Sequence, residues 1–171
     1  MSLSAALLQE VETEGKTTRR VLERVPADKL AWKPHQKSMS LGELALHIAK
    51  EPGHFAEAAL GDGFDFGGQH PGNPQPQTVA EILATHDKGL ATVKGAVNQL
   101  GDAGLQKMWT ATMNGATLMT LPKAGLMRMI VMNHIYHHRG QLSVYLRMLD
   151  VPVPSIYGPS ADDNPFAVAR T

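Results

Sequence analysis

Three histidines in this chain are spaced so that their imidazoles could meet. His134 and His138 are four residues apart. On a helix turning about 100° per residue they lie about 40° from one another, one turn apart. Their Cβ atoms would be about 5–6 Å apart, as two ligands of one divalent ion require. Counted the same way, Met127, Ile130, Val131, Gln141, Leu142, Tyr145 and Leu149 share their side, while Arg139, Ser143 and Arg147 lie opposite. The pair is therefore expected in the middle of a buried stripe. Either each is a hydrogen-bonded core residue, or a shared metal offsets the cost of burying both. His137, at the edge of the stripe, reads as a partly buried side chain and not as a ligand.

His47 is a third candidate, on a second helical segment between its apolar side and a strip of polar groups. Three imidazoles from two facing helices would leave at least one coordination position open, as catalytic sites do. Imidazole-only ligation suits Zn, Ni, Cu or Fe better than Mg or Ca. Glu51, one turn after His47, reads as a fourth ligand, an acceptor behind the ligands, a general base, or simply a solvated helix charge.

Four segments with helical periodicity must position these residues, near 4–25, 40–60, 78–100 and 121–150. Pro26 stops the first. Ser40-Leu41-Gly42-Glu43 and Thr78-Val79-Ala80-Glu81 are capping boxes that start the second and third. Pro52-Gly53 should kink the second or end it early, and Pro122 suits the first turn of the fourth. Residues 27–39 and 61–77 read as loops. The stretch 102–119 carries only a weak signal, a short turn or a hairpin, and the tail from Ser155 is expected to be ordered where it docks. The expected fold is an all-α four-helix bundle, a single domain over residues 1–171.

Composition narrows the function. Sixteen Lys+Arg against sixteen Asp+Glu give zero formal charge, which argues against a footprint for nucleic acid or an anionic membrane. No Cys is present, so disulfides, thiolate metal sites and Cys nucleophiles are excluded. No apolar run reaches the length of a membrane span. The N-terminus, with Glu10, Glu12 and Glu14, does not read as a signal or transit peptide, so a cytoplasmic protein is expected.

The run His134-Ile135-Tyr136-His137-His138-Arg139-Gly140-Gln141-Leu142 carries a His-x-x-x-His-Arg-Gly-Gln motif. Leu41-Gly42-Glu43-Leu44-Ala45-Leu46-His47-Ile48-Ala49 and Trp32-Lys33-Pro34 precede it in matching order. In these blocks the chain resembles the DinB-like (YfiT-related) metal-enzyme family. The resemblance implies a four-helix bundle with a divalent metal, Zn or Ni first, held by His47, His134 and His138. It also implies a homodimer and no DNA binding. Gln141 points toward the metal face, where it would orient an imidazole or a ligand of the metal.

Some members of that family are transferases using low-molecular-weight thiols, and others are described as hydrolases. The expected function is accordingly a metal-dependent enzyme on a small molecule, with Glu51 as the base if it is a hydrolase. Because the chain has no Cys, a thiol would have to arrive as a cosubstrate. The alternative is a non-catalytic, stress-responsive module in which the metal ties two helices together.

Overall fold

The structure is a computed structural model that describes residues 1–68 and 72–167. Parts of the expected loop over 61–77 and of the expected tail, residues 69–71 and 168–171, lie outside the described residues. Helix α1 (Leu3–Leu22) starts at Ser2, whose side chain accepts from the Ala5 amide. Leu7, Val11, Thr18, Val21 and Leu22 form its buried face. Helix α2 (Leu41–Ala58) opens on the expected capping box: Glu43 N donates to Ser40 Oγ at 3.0 Å, and Ser40 N donates to Glu43 Oε2 at 2.6 Å.

Pro52 does not end α2 early; the helix runs six residues further. A proline there removes one i→i−4 bond and costs about 3 kcal/mol in an isolated helix. Packing against α3 (Val79–Leu105) offsets this. A Cβ on Gly53 would lie 3.0 Å from Gly89 Cα, and one on Gly89 would lie 2.8 Å from the Ala49 carbonyl, so the two backbones meet where no side chain fits.

Thr78 caps α3 by accepting from the Glu81 amide at 3.1 Å. Glu81, however, bonds back to the Gln77 amide rather than to Thr78, so the second box is only half formed. The helical dihedrals break at Gly101, and one further turn carries the chain to Leu105.

The expectation of an all-α four-helix bundle is overturned by a three-stranded mixed sheet, which makes the fold mixed α/β. Strand β1 (Gly63–Asp65) pairs parallel to β2 (Met108–Met113), which pairs antiparallel to β3 (Ala116–Pro122). Asn114 and Gly115, both at positive φ, turn the hairpin as an Asn-Gly pair does. On β2, Trp109 and Ala111 face inward, 0% and 1% exposed. Trp109 Nε1 donates to the Ala58 carbonyl at 3.1 Å and so docks the sheet on the C-terminal end of α2. Of the two readings that the weak signal over 102–119 allows, the structure takes the hairpin; two inward apolar side chains give too little pattern to tell it from a turn. β1 lies within what the sequence presents as a glycine-rich loop.

The last helical segment departs from regular geometry. Helix α4 (Lys123–Leu126) follows Pro122, which is its N-cap and not part of its first turn. A π-helical stretch (Met127–Met132) then leads into α5 (Asn133–Met148). Its i→i+5 bonds add up to one residue's rotation of about 100°, so residues before it shift around the axis. Met127 and Val131 thereby join Arg139, Leu142 and Leu146 on the core side. Arg139, expected opposite the core, is 1% exposed, and the two histidines lie at the margin of the buried stripe, not at its centre.

Two apolar clusters result. One gathers Phe55, Val97, Leu105, Trp109 and Met127; the other gathers Leu22, Leu44, Ile48, Ile82, Leu142 and Leu146. Ile135 packs against both. Among the described residues no helix is long and apolar enough to cross a membrane.

Candidate metal centre

Helix α2 presents His47 two turns inside its capped start, and α5 presents His134 and His138 one turn apart. The structure brings the three together. His134 Nε2 lies 3.1 Å from His47 Nε2 and 2.8 Å from His138 Nε2. The rings stand at 89°, 86° and 73° to one another, so three imidazole edges converge without stacking.

The opposite ring nitrogens fix the proton positions. His47 Nδ1 donates to Asn73 Oδ1 at 2.9 Å, and His138 Nδ1 donates to Gln141 Oε1 at 2.7 Å. A neutral imidazole with Nδ1–H carries its lone pair on Nε2. Two lone pairs therefore face His134 Nε2, which has at most one hydrogen to offer them. A divalent cation between the three nitrogens answers all of them, so the donor set fits a transition metal of imidazole preference.

Burial, and behind it the imidazoles of His138, His47 and His137, pushes the His134 pKa down to about 4. Burial also lowers that of His138, against the opposing effect of its hydrogen bond to Gln141. Both are thus neutral at pH 7, the form that ligates.

Asn73 is the functional candidate that sequence reasoning missed. It sits in the expected loop over 61–77, and no local pattern marks it. Its position follows from contacts distant in the chain: Ser40 Oγ donates to Gln75 Oε1 at 2.6 Å, and Gln75 Nε2 donates to the Leu30 carbonyl at 3.0 Å. Those bonds pin the segment to the start of α2. Asn73 Nδ2 points to Met39 Sδ at 3.1 Å, which turns the amide oxygen toward His47.

Glu51 does not join the three nitrogens. Its Oε1 is 3.9 Å from His47 Nδ1 and 4.0 Å from Lys50 Nζ, and it lines an open cleft together with His47, Lys50, Phe55, Phe66, Gly72, Asn73 and His134. His137 is exposed and outside the group, its ring 4.8 Å from that of His138.

Behind the site, Arg139 anchors α5. Its Nη2 donates to Glu14 Oε2 at 2.7 Å and to Tyr157 OH at 2.6 Å, and its Nη1 to Thr18 Oγ1 at 3.0 Å. The guanidinium also lies over the rings of Tyr136 and Tyr157, 5.4 and 5.0 Å from their centroids. α1, α5 and the docked tail meet at this one side chain.

The chain is similar to known proteins in both sequence and fold. The chain is 28% identical over 166 residues to an uncharacterised protein of Bacillus subtilis (strain 168), YrdA, covering 91% of this chain and 89% of that one. A DinB-like protein from Bacillus cereus ATCC 10987 superimposes with a TM-score of 0.70 at 21% identity, covering 88% of this chain and 95% of its own. A second DinB-like structure, YjoA from Bacillus subtilis, gives 0.64 at 19% identity, over 85% and 92%. These two likenesses establish the fold. The model of the DinB family matches residues 1–165, a span that contains all three histidines, and the chain belongs to that family.

Proposed function

We propose that this protein is a metal-dependent enzyme acting on a small molecule, a hydrolase or a low-molecular-weight-thiol transferase, with Zn or Ni held by His47, His134 and His138. The observation that carries the reading is the convergence of three Nε2 atoms at the side of an open cleft, with two of the Nδ1 hydrogens already committed to Asn73 and Gln141. A metal that only tied α2 to α5 would be closed off by a fourth protein ligand; the three-imidazole set leaves a position for a small molecule.

The bound metal supplies Lewis acidity, which activates water or a thiol at neutral pH. The chain's own residues do the rest. Asn73 and Gln141 hold two imidazoles in orientation and tautomer. Glu51, in the cleft and beside Lys50, accepts the proton that a nucleophile gives up. Phe55 and Phe66 restrict water on the far side.

The experiment is a comparison of zinc-loaded, metal-stripped and His138→Ala protein on a panel of esters and amides, and on electrophiles with added thiol. Turnover confined to the loaded wild type supports the reading. Turnover that survives stripping, or a loaded site that turns over nothing in the panel and admits no thiol to its metal, contradicts it. A homodimer belongs to the same proposal. Four methionines that a second copy would cover, Met108, Met113, Met119 and Met129, are 40–53% exposed, while Met127 and Met132 are core.

A further inference from the structure

The chain has four Phe, and three of them, Phe55, Phe64 and Phe66, cluster at the cleft or directly behind it. Phe55 is buried and forms the floor. Phe66 is half-buried and stacks on Phe55, with centroids 5.9 Å apart and planes at 29°; Phe64 meets Phe66 edge-on at 4.9 Å. What remains open of the Phe66 ring lines the cleft that also holds His47 and His134.

The sheet holds the backbone that carries this ring. Phe66 N donates to the Thr112 carbonyl at 2.7 Å. The preceding Asp65 carboxylate accepts from Gly67 N, Thr112 Oγ1, Asn114 N and Gly115 N at 2.7–3.0 Å. The Gly115 and Gly67 amides, ahead of Thr112 and Asn114, hold its pKa down at about 2, so the turn stays charged and closed at neutral pH. An aromatic surface fixed before binding spares a ligand the ordering cost.

Charge sets the other half of the preference. Three neutral imidazoles leave a divalent ion its full charge, and Lys50 on the rim adds one more, while Glu51 offsets about one. We infer that the cleft selects a small aromatic anion, its ring on Phe66 and its carboxylate or thiolate toward the three histidines. The inference rests on the metal reading above and deepens it: a purely polar, sugar-like small molecule would leave the phenyl wall unused.

The test uses the full chain loaded with Co(II), whose visible bands report a new ligand. Sodium benzoate and sodium acetate, both ionised at pH 7, are titrated into wild type and Phe66→Leu. Stacking predicts benzoate about three- to tenfold tighter than acetate in wild type. In Phe66→Leu, which keeps the apolar volume that docks β1, the advantage should fall to about twofold or less with acetate unchanged. Equal affinities in wild type, or an advantage that survives in Phe66→Leu, would overturn the inference. If wild type takes up no cobalt, the metal reading fails instead. Metal-free protein titrated with benzoate then decides: shifts of the Phe66 ring resonances support the aromatic site, and their absence overturns it.

Discussion

His138 and Arg139 are neighbours in the chain and serve different sides of α5. His138 Nε2 meets His134 Nε2 at 2.8 Å on the cleft side, while the Arg139 guanidinium is enclosed among Glu14, Thr18, Tyr136 and Tyr157 on the other. Successive helical residues diverge by about 100°, so one dipeptide can both line a site and anchor its backbone. The helix that carries His134 and His138 is thereby held from behind by a buried ion pair.

Removing that anchor should be costly. Arg139→Ala leaves the Glu14 carboxylate, 13% exposed, without its cation. Breaking a buried pair in this way costs about 3–5 kcal/mol. Arg139→Lys should recover only part of it, because one ammonium cannot reproduce the guanidinium fork. Urea unfolding of the three proteins measures the difference, and a loss below about 1 kcal/mol would place the stability of α5 elsewhere.

Metal-free protein should weaken in mild acid. His134 titrates at about 4 in the folded chain, against an ordinary value of 6.5. Between those values the unfolded chain binds more protons, so stability is full above 6.5 and declines as pH falls toward 4. NMR titration of the His134 ring in stripped protein should give a midpoint well under 6.5, with the unfolding midpoint falling over the same window. A His134 that titrates like a free imidazole would contradict the buried geometry.

Much of the site was legible because its signals are local. The i, i+4 pair, the Ser40–Glu43 box and the helix carrying His47 all follow from spacing along one segment. What was illegible depends on partners distant in sequence. β1 has three residues and exists only because Thr110, Ala111 and Thr112 pair with it. Asn73 reaches His47 only because Gln75 is held by Ser40 and Leu30. The π-helical stretch rotates Met127 and Val131 relative to α5, so a uniform 100° count put the histidines at the centre of the stripe and Arg139 outside.

The role given to Asn73 is separable from folding. Asn73→Ala removes the acceptor of the His47 Nδ1 hydrogen and leaves the Gln75 anchor in place. Loss of such a partner lowers metal affinity about 10- to 100-fold. Competition with a chromophoric chelator measures this, and wild-type affinity in the variant would mean that His47 needs no such support.

For the proposed homodimer, light scattering across the micromolar range should give twice the 18.5 kDa chain mass. Met129→Glu and Met119→Glu, both at exposed positions, then locate the interface by which one yields monomer. A monomer mass for wild type throughout would reject the proposal.

Elemental analysis reads without an intermediary whether His47, His134 and His138 hold one divalent transition metal, as proposed. Protein purified without a histidine tag should carry about one Zn or Ni per chain, or take up one on reconstitution. His134→Ala and His138→Ala should lose most of it, with far-UV circular dichroism unchanged, while His137→Ala keeps it. Wild-type metal content in a His47→Ala, His138→Ala double variant, or no uptake by the wild type, would contradict the account.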